Sequence, residues 1–237
     1  MRTSSSNTSS LQQLLSQERP LVVGTLHDAA GIRVMKSFSA RRPSGVDVLE
    51  ARLDSLKGEI LPARFPLPVI ATARHPAEGG AGNLSQARRR HLLQEALEWA
   101  SAIDLELRSA GSLVSLVAEA HQHGRTVILS HHDFSRTPTL SALKKLSAKA
   151  ADSGADLFKV ATMLRDRSDL QRLIEFQMEA GKVPVVTMGM GPAGRFSRLV
   201  LCGFGAPLCY GWLGKPQVPG QWPALSLRGL LDEILPV

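Results

Sequence analysis

The feature that most constrains the fold is a regular alternation of apolar, strand-length runs with stretches of helical periodicity. The runs are typical of strands that are buried on both faces. There are eight of them, at residues 21–26, 46–53, 68–73, 102–107, 126–130, 155–161, 183–188 and 206–210. Eight strands alternating with helices over 237 residues predict either a (β/α)8 barrel or a doubly wound open sheet.

The absence of nucleotide-binding motifs favours the barrel. No Gly-x-Gly-x-x-Gly follows the first run and no P-loop occurs, which removes the commonest reasons to prefer an open sheet. The gaps at 27–45 and 55–67 have weaker helical patterns, so we expect short or irregular helices there. We therefore predict an α/β fold with a single (β/α)8 TIM barrel as the catalytic domain over residues 21–237. A flexible N-terminal segment, residues 1–20, precedes it and begins with a disordered, Ser-rich tail.

Capping residues predict where several helices begin. Ser85 or Asn83 can cap one helix, and Thr139 can cap another. Ser168 with Gln171 resembles a capping box, in which two side chains satisfy backbone amides reciprocally.

Lys159 lies inside an apolar run, Ala-Asp-Leu-Phe-Lys-Val-Ala at 155–161, that has the character of a buried strand. Burying an unpaired cation costs on the order of several kcal/mol, so a lysine there is expected to shift toward the neutral amine. A neutral amine is a nucleophile that forms Schiff bases with carbonyl compounds. The alternative is an edge lysine whose stem carries the ammonium out to water.

Polar side chains collect where the strands of a barrel would end, which is where barrel active sites are built. Period-two spacing puts Glu50, Arg52 and Asp54 on the inner side of the second strand. Comparable groups on or after later runs are Arg74, Glu78, Asp104, Glu106, His131, His132, Lys159, Arg198 and Gln221. Paired histidines alone are more often structural, and the glycine-rich loop at 189–194 is either a tight turn or a phosphate cradle. The convergence of all these groups on one barrel mouth favours a catalytic site.

Composition argues against several other classes of protein. The net charge is +7, but the basic residues are dispersed and aromatic residues make up only 5%, so nothing specific supports nucleic-acid binding. The triple arginine at 88–90 is interpreted as the solvated face of a helix. The apolar runs are too short to span a membrane, and the first ten residues do not resemble a secretory signal. Two cysteines in a chain of this length suit a reducing, cytoplasmic environment.

Five segments occur in a specific order and at specific separations. They are Glu-Ala-Arg-Leu-Asp at 50–54, Ser-His-His-Asp-Phe at 130–134 with Thr-Pro at 137–138, the lysine run at 155–161, Ser-Arg at 197–198, and Pro-Gly-Gln at 219–221. Together they resemble type I 3-dehydroquinate dehydratase, the Schiff-base enzyme of the shikimate pathway and of aromatic amino acid biosynthesis. The resemblance extends from about residue 21 to residue 234.

This resemblance implies a lyase that eliminates water from 3-dehydroquinate to give 3-dehydroshikimate. Lys159 would form the imine with the substrate ketone, and His132, not His131, would carry the proton. Glu78 would orient His132, and Arg198 would bind the substrate carboxylate. The remaining implied substrate-binding residues are Glu50, Arg52 and Arg74 on the ring hydroxyls and Gln221 on a closing loop.

The resemblance also implies that no metal or organic cofactor is required and that the small-molecule substrate is the main partner. Neither nucleic acid nor membrane is expected, and a homodimer is possible. Two readings stay open beside it. One is another imine-forming lyase or class I aldolase on the same barrel, and the other is a non-catalytic, anion-binding relative.

The chain departs from the family pattern at three places. Gln217 and Val218 stand where the family's last loop usually has serine and alanine, and Ala206 follows Phe-Gly where serine is usual. The N-terminal hairpin that is common at the barrel floor is replaced by a Ser/Gln-rich segment. These differences leave the lid contacts and the details of substrate binding open.

Overall fold

The structure, a computed structural model, describes residues 11–17, 19–38, 45–56, 59–62, 64–179, 181–217 and 220–235. The disordered tail predicted for the first ten residues lies outside the described residues. Within the segment predicted to be flexible, residues 1–20, the structure has a short helix, α1 (Leu11–Leu15).

Eight parallel strands build the barrel wall, and each predicted run overlaps one of them. They are β1 (Leu21–Leu26), β2 (Val48–Arg52), β3 (Val69–Thr72), β4 (Ala102–Glu106), β5 (Thr126–Asp133), β6 (Leu157–Met163), β7 (Val185–Met190) and β8 (Leu208–Trp212). The ladder runs β7-β6-β5-β4-β3-β2-β1-β8, and a two-residue strand, β9 (Trp222–Pro223), extends it beyond β8. Strand β5 is longer than predicted because residues 131–133 continue to pair with β6.

Helices follow most of the strands on the outside of the barrel. They are α2 (Ala29–Lys36), α3 (Gln86–Ala96), α4 (Val114–Gln122), α5 (Leu140–Asp152), α6 (Arg167–Met178), α7 (Gly194–Gly203) and α8 (Ala224–Ile234), with short 3-10 turns at Pro76–Glu78 and Leu107–Ser112. Among the described residues, only the first of the two weak gaps contains the short helix that was expected. Helix α2 has eight residues, and the described residues between β2 and β3 form no helix. No helix in the described stretches is long and apolar enough to cross a membrane.

Side-chain caps explain where the helices begin. Ser85 accepts the Arg88 amide and Thr139 accepts the Ala142 amide, as the sequence predicts. The prediction of a capping box at Ser168 is wrong. Helix α6 is capped by Asp166, whose carboxylate accepts the amides of Ser168 and Asp169 at 2.8 and 3.1 Å, so the helix begins before the predicted cap.

The core has an outer layer between strands and helices and an inner layer inside the barrel. Leu11 of α1 is 1% exposed and joins the inner layer, where it is grouped with Leu21, Val48 and Leu157. Residues of α1 also share a cavity wall with residues at the amino ends of β5 and β6. This helix therefore covers the barrel floor, where the sequence predicted only a Ser/Gln-rich replacement for a hairpin.

The wall has a seam between β7 and β8, where the described residues form no backbone ladder. Arg198 of α7 spans this seam. Its Nη1 donates to the Tyr210 carbonyl oxygen of β8 at 3.1 Å and lies 3.4 Å from Met188 Sδ of β7. A side chain thus connects the two strands where backbone hydrogen bonds do not.

Candidate active site

A cavity of about 530 Å³ opens at the carboxyl ends of the strands. Its wall contains every residue for which the sequence suggested a catalytic or substrate-binding role. These are Lys159, His132, Glu78, Glu50, Arg52, Arg74, Arg198 and Gln221. Parallel strands of a barrel all end at one mouth, which is why positions up to 171 residues apart in the sequence share this cavity.

Lys159 points into the barrel from β6 and is 3% exposed, so it is not an edge lysine that reaches water. It is also not the unpaired cation considered from the sequence. Its Nζ contacts Asp104 Oδ2 directly and lies 3.7 Å from Glu50 Oε1. Both carboxylates come from inward-facing positions of β2 and β4, and they offset the cost of burying the charge.

Asp104 links Lys159 to a chain of buried charges. Its Oδ1 accepts hydrogen bonds from Arg74 Nη1 at 3.0 Å and from Ser130 Oγ at 2.6 Å. Burial alone would raise the pKa of Asp104, but the Arg74 and Lys159 cations outweigh burial and hold that pKa below its usual range. Asp104 is therefore a carboxylate that fixes the position of the lysine amine.

The triple arginine at 88–90 is not wholly a solvated face. Arg89 is 1% exposed, and its Nη1 binds Glu106 Oε2 at 2.8 Å. The other oxygen of Glu106 accepts from Arg74 at 3.2 Å and from the His75 amide at 2.7 Å. Arg89 thus turns inward from α3 to neutralise a buried carboxylate, while Arg88 beside it is exposed.

Glu50 lies at the centre of β2 beneath the cavity and is 4% exposed. Thr25 donates to its Oε2 and Thr72 donates to its Oε1, each at 3.0 Å. These two hydroxyls come from the neighbouring strands β1 and β3, so the carboxylate is oriented from both sides toward Lys159.

The two adjacent histidines on β5 have different surroundings because strand side chains alternate between faces. His132 lines the cavity, whereas His131 is not part of its wall. Glu78 Oε2 lies 3.0 Å from His132 Nδ1 and accepts the His132 backbone amide at 3.0 Å. With the proton on Nδ1 donated to this carboxylate, Nε2 keeps a free lone pair for proton transfer.

The pKa values of this pair are shifted in opposite directions. Burial, together with the Arg74 and Lys159 cations, lowers the pKa of His132 well below its usual 6.5. Burial raises the pKa of Glu78 to about 7, against the opposing effect of Arg74. His132 is therefore a neutral imidazole at neutral pH, the protonation state that a general base needs.

Arg198 is a buried cation without a carboxylate of its own. It is 4% exposed, and its described acceptors are the Gly220 and Tyr210 carbonyl oxygens and Met188 Sδ. Burial lowers its pKa. Among the buried lysine and arginines of the described residues, Arg198 alone has no carboxylate within ion-pair distance, so it can bind an anion that enters the cavity.

The residues of the last loop meet Arg52 at the cavity rim. Arg52 forms a two-point pair with Asp54 at 2.9 and 3.0 Å, and its Nη1 donates to Gln217 Oε1 at 3.0 Å. The Gln217 amide in turn donates to Gln221 Oε1 at 2.7 Å. Gln217, one of the departures from the family pattern, thus connects the loop to β2.

The glycine-rich segment at 189–194 begins in β7, turns between that strand and α7, and packs against the last loop at Gly220. Gly220 has a φ of +86°, and a β-carbon there would lie 2.5 Å from the Gly191 carbonyl oxygen. Only glycine permits both this backbone conformation and this approach. The close packing of Gly220 against Gly191 places the Gly220 carbonyl oxygen where Arg198 Nε donates to it at 3.2 Å.

The sequence alone does not indicate roles for Asp104 and Tyr210, although both side chains lie against Lys159. The alternation of Asp104 and Glu106 on β4 was a usable signal for the first. Nothing in the pattern around Tyr210 distinguishes it from a core aromatic. Across the described ranges, no three His, Cys, Asp or Glu side chains are grouped as a metal site requires.

The fold and the cavity define an α/β-barrel protein with a buried lysine in a charged cavity at the carboxyl ends of its strands, and comparison with known proteins specifies the family. The sequence model of type I 3-dehydroquinase matches residues 32–235. The 3-dehydroquinate dehydratase of Methanothermobacter thermautotrophicus is 34% identical over 209 residues, which cover 86% of this chain and 92% of the relative. That of Latilactobacillus sakei is 34% identical over 204 residues, covering 81% and 85%.

Solved structures agree with these relatives. The type I 3-dehydroquinate dehydratase of Clostridium difficile, solved with covalent modified comenic acid, superposes with a TM-score of 0.78 at 25% identity and covers 92% of this chain and 93% of its own. The 3-dehydroquinate dehydratase of Aquifex aeolicus gives a TM-score of 0.77 at 26% identity, covering 92% and 100%. The chain belongs to the type I 3-dehydroquinase family.

Proposed function

We propose that this protein is a 3-dehydroquinate dehydratase, which eliminates water from 3-dehydroquinate through an imine and releases 3-dehydroshikimate. One observation carries the proposal. A buried lysine, a histidine held by a carboxylate and a buried arginine that pairs with no carboxylate of the described residues line the same cavity. Family membership supports the same activity.

Lys159 is the proposed nucleophile. Its amine, once deprotonated, adds to the substrate ketone, and loss of water from the carbinolamine leaves an imine. Protonation of the imine nitrogen makes it an electron sink that acidifies the neighbouring carbon. Asp104 and Glu50, which contact the amine in the resting site, hold the nitrogen in place and balance its positive charge.

His132 is the proposed proton carrier. Its neutral Nε2 removes a proton from the carbon next to the imine carbon, and the bonding electrons move into an enamine. The resulting imidazolium gives a proton to the departing hydroxyl group as the enamine reverts to a conjugated imine, and hydrolysis then frees Lys159. Glu78 orients the ring and stabilises the imidazolium through Nδ1, as a paired carboxylate does for other catalytic histidines.

Arg198 is the proposed binding residue for the substrate carboxylate. A guanidinium can bind a carboxylate with two parallel hydrogen bonds, and Arg198 has no competing carboxylate among the described residues. Glu50, Arg52, Arg74 and Gln221 lie around the rest of the cavity and are proposed to bind the ring hydroxyls.

The other readings of the sequence are weaker. An imine-forming aldolase would need Lys159 but has no evident use for the His132–Glu78 pair, and a non-catalytic relative would have no use for a buried reactive amine. A cytoplasmic location is also part of the proposal, since the two free cysteines suit a reducing environment. A homodimer is proposed from the family resemblance alone.

The proposed function is tested by trapping the imine. Incubation with 3-dehydroquinate and sodium borohydride should add one reduced substrate to the protein, and peptide mass mapping should locate it at Lys159. The Lys159→Ala protein should show no adduct and no increase in ultraviolet absorbance from the conjugated product. An active preparation whose Lys159 stays unmodified would disprove the mechanism.

A further inference from the structure

Tyr210 is a polar residue of the cavity that the proposed mechanism does not use. It is the only tyrosine in the chain, is 4% exposed and contributes to the cavity wall from β8. Its backbone carbonyl accepts from Arg198, which leaves the phenol to be explained.

The ring of Tyr210 lies against the reacting nitrogen. Lys159 Nζ is 4.7 Å from the ring centroid, within the distance at which an aromatic face attracts a cation. Imine formation keeps the nitrogen at the end of the same side chain and leaves it positively charged when protonated. The ring face is therefore in position to stabilise the protonated imine.

The phenol oxygen of Tyr210 is shielded from solvent and has no hydrogen-bond partner among the described residues. A buried hydroxyl without a partner is unfavourable, and most such groups in proteins are satisfied. Burial raises the pKa of Tyr210 well above its ordinary value, and the nearby Glu50 and Asp104 carboxylates raise it further. The phenol thus keeps its proton and can donate a hydrogen bond.

We propose that Tyr210 is a further catalytic residue, whose ring face stabilises the imine cation and whose hydroxyl binds a substrate oxygen beside the imine carbon. A substrate attached to Lys159 lies beside the ring that already contacts the nitrogen, with its oxygen next to the imine carbon within reach of the hydroxyl. The substrate then supplies the hydrogen-bond partner that the described residues do not. This inference rests on the proposed function and adds a contact to the same site.

Two substitutions separate the two contributions. Tyr210→Phe keeps the aromatic face and removes the hydroxyl, so KM for 3-dehydroquinate should rise about fivefold with kcat nearly unchanged, as expected for one neutral hydrogen bond that is made equally in the bound and transition states. Tyr210→Leu removes the face as well. The kcat of Tyr210→Leu should be about tenfold lower than that of Tyr210→Phe, and borohydride should trap less adduct at equal substrate concentration.

A spectroscopic measurement on the unsubstituted sequence avoids any folding defect. Biosynthetic replacement of tyrosine by 3-fluorotyrosine gives a single fluorine resonance, next to the hydroxyl of Tyr210. This resonance should move when 3-dehydroquinate is added and should stay displaced in the borohydride-trapped protein. Inorganic phosphate, an anion without ring hydroxyls, should leave it in place.

The outcomes distinguish this inference from the proposed function. If borohydride yields the Lys159 adduct while the fluorine resonance does not move and Tyr210→Phe keeps its KM within twofold, the contact proposed for the Tyr210 hydroxyl is wrong and the dehydratase mechanism stands. If no adduct forms in an active preparation, both are wrong. If Tyr210→Leu matches Tyr210→Phe in kcat, the contribution of the ring face is disproved.

Discussion

At the scale of single residues, the contact between His132 and Glu78 would make the proposed proton-transfer step sensitive to pH. Glu78 has a pKa of about 7, so it is protonated below that pH and ionised above it. The protonated acid is a poorer acceptor for Nδ1–H and stabilises an imidazolium less well. His132 itself, with its lowered pKa, stays neutral through the same range.

We therefore expect kcat/KM, which reports ionisations of the free enzyme, to fall as the pH decreases through about 7. Glu78→Gln should lack this limb and should be about tenfold slower at high pH, because a neutral amide replaces a charged acceptor. A pH profile measured for both proteins checks this. An unchanged limb in Glu78→Gln would assign it to another group.

The two histidines give a second test at this scale, since they are neighbours on one strand but face opposite sides. His132→Ala should slow elimination about 10³-fold, within the usual contribution of a general base, while still forming the borohydride adduct at Lys159. His131→Ala is the matched control and should keep most of the activity. The reverse pattern would contradict the assignment of His132.

At the scale of elements, helix α3 is attached to strand β4 by a buried ion pair. Arg89 reaches Glu106 Oε2 at 2.8 Å, and Glu106 shares Arg74 with Asp104. The charges therefore form one chain from the outer helix to the lysine. Removing Arg89 leaves Glu106 Oε2 without its buried cation while Arg74 still pairs with Oε1, and loss of one partner is the most damaging way to disrupt a buried ion pair.

Arg89→Ala should lower the free energy of unfolding by about 3–5 kcal/mol. Arg88→Ala, one position earlier and exposed, should change it by less than about 0.5 kcal/mol. Urea denaturation with unchanged m-values measures both. If both substitutions change the free energy of unfolding equally little, the ion pair of Arg89 does not stabilise the protein, and Arg89 contributes no more than a solvated arginine does.

These elements also show what a sequence can and cannot predict. The alternation of Glu50 with Arg52 and of Asp104 with Glu106 is local, so the inward face of each strand could be predicted. The pairing of Arg89 with Glu106 joins two elements 17 residues apart, and the contact between Lys159 and Asp104 joins two strands that are not neighbours in the ladder. Local spacing does not determine such partners, so the sequence alone predicts Lys159 to be an unpaired cation.

At the scale of the whole molecule, the barrel is closed at its floor by a helix of five residues. Leu11 contributes the buried side chain of α1 and joins the inner core layer, at the opposite end from the cavity. A helix this short has little stability of its own, so its position depends on Leu11 and on the partly buried Leu14 and Leu15 that pack against the same cluster.

Leu11→Ala should lower the free energy of unfolding by about 2–3 kcal/mol and leave kcat/KM nearly unchanged. Gln12→Ala, on the exposed side of the same helix, should change stability by less than about 0.5 kcal/mol. Thermal or urea unfolding with parallel activity assays checks the pair. Equal stability of the two variants would show that α1 does not contribute to the closed floor.

The seam between β7 and β8 has a mechanical consequence for the barrel. Elsewhere the described strands are joined by repeated main-chain bonds, but at this edge the Arg198 guanidinium supplies the polar link, beside the apolar packing of the inner core. In the proposed mechanism the substrate carboxylate binds the same guanidinium and would restrain it. Ligand binding would thereby stiffen the barrel wall at this seam, so that affinity and elasticity would be coupled through one side chain.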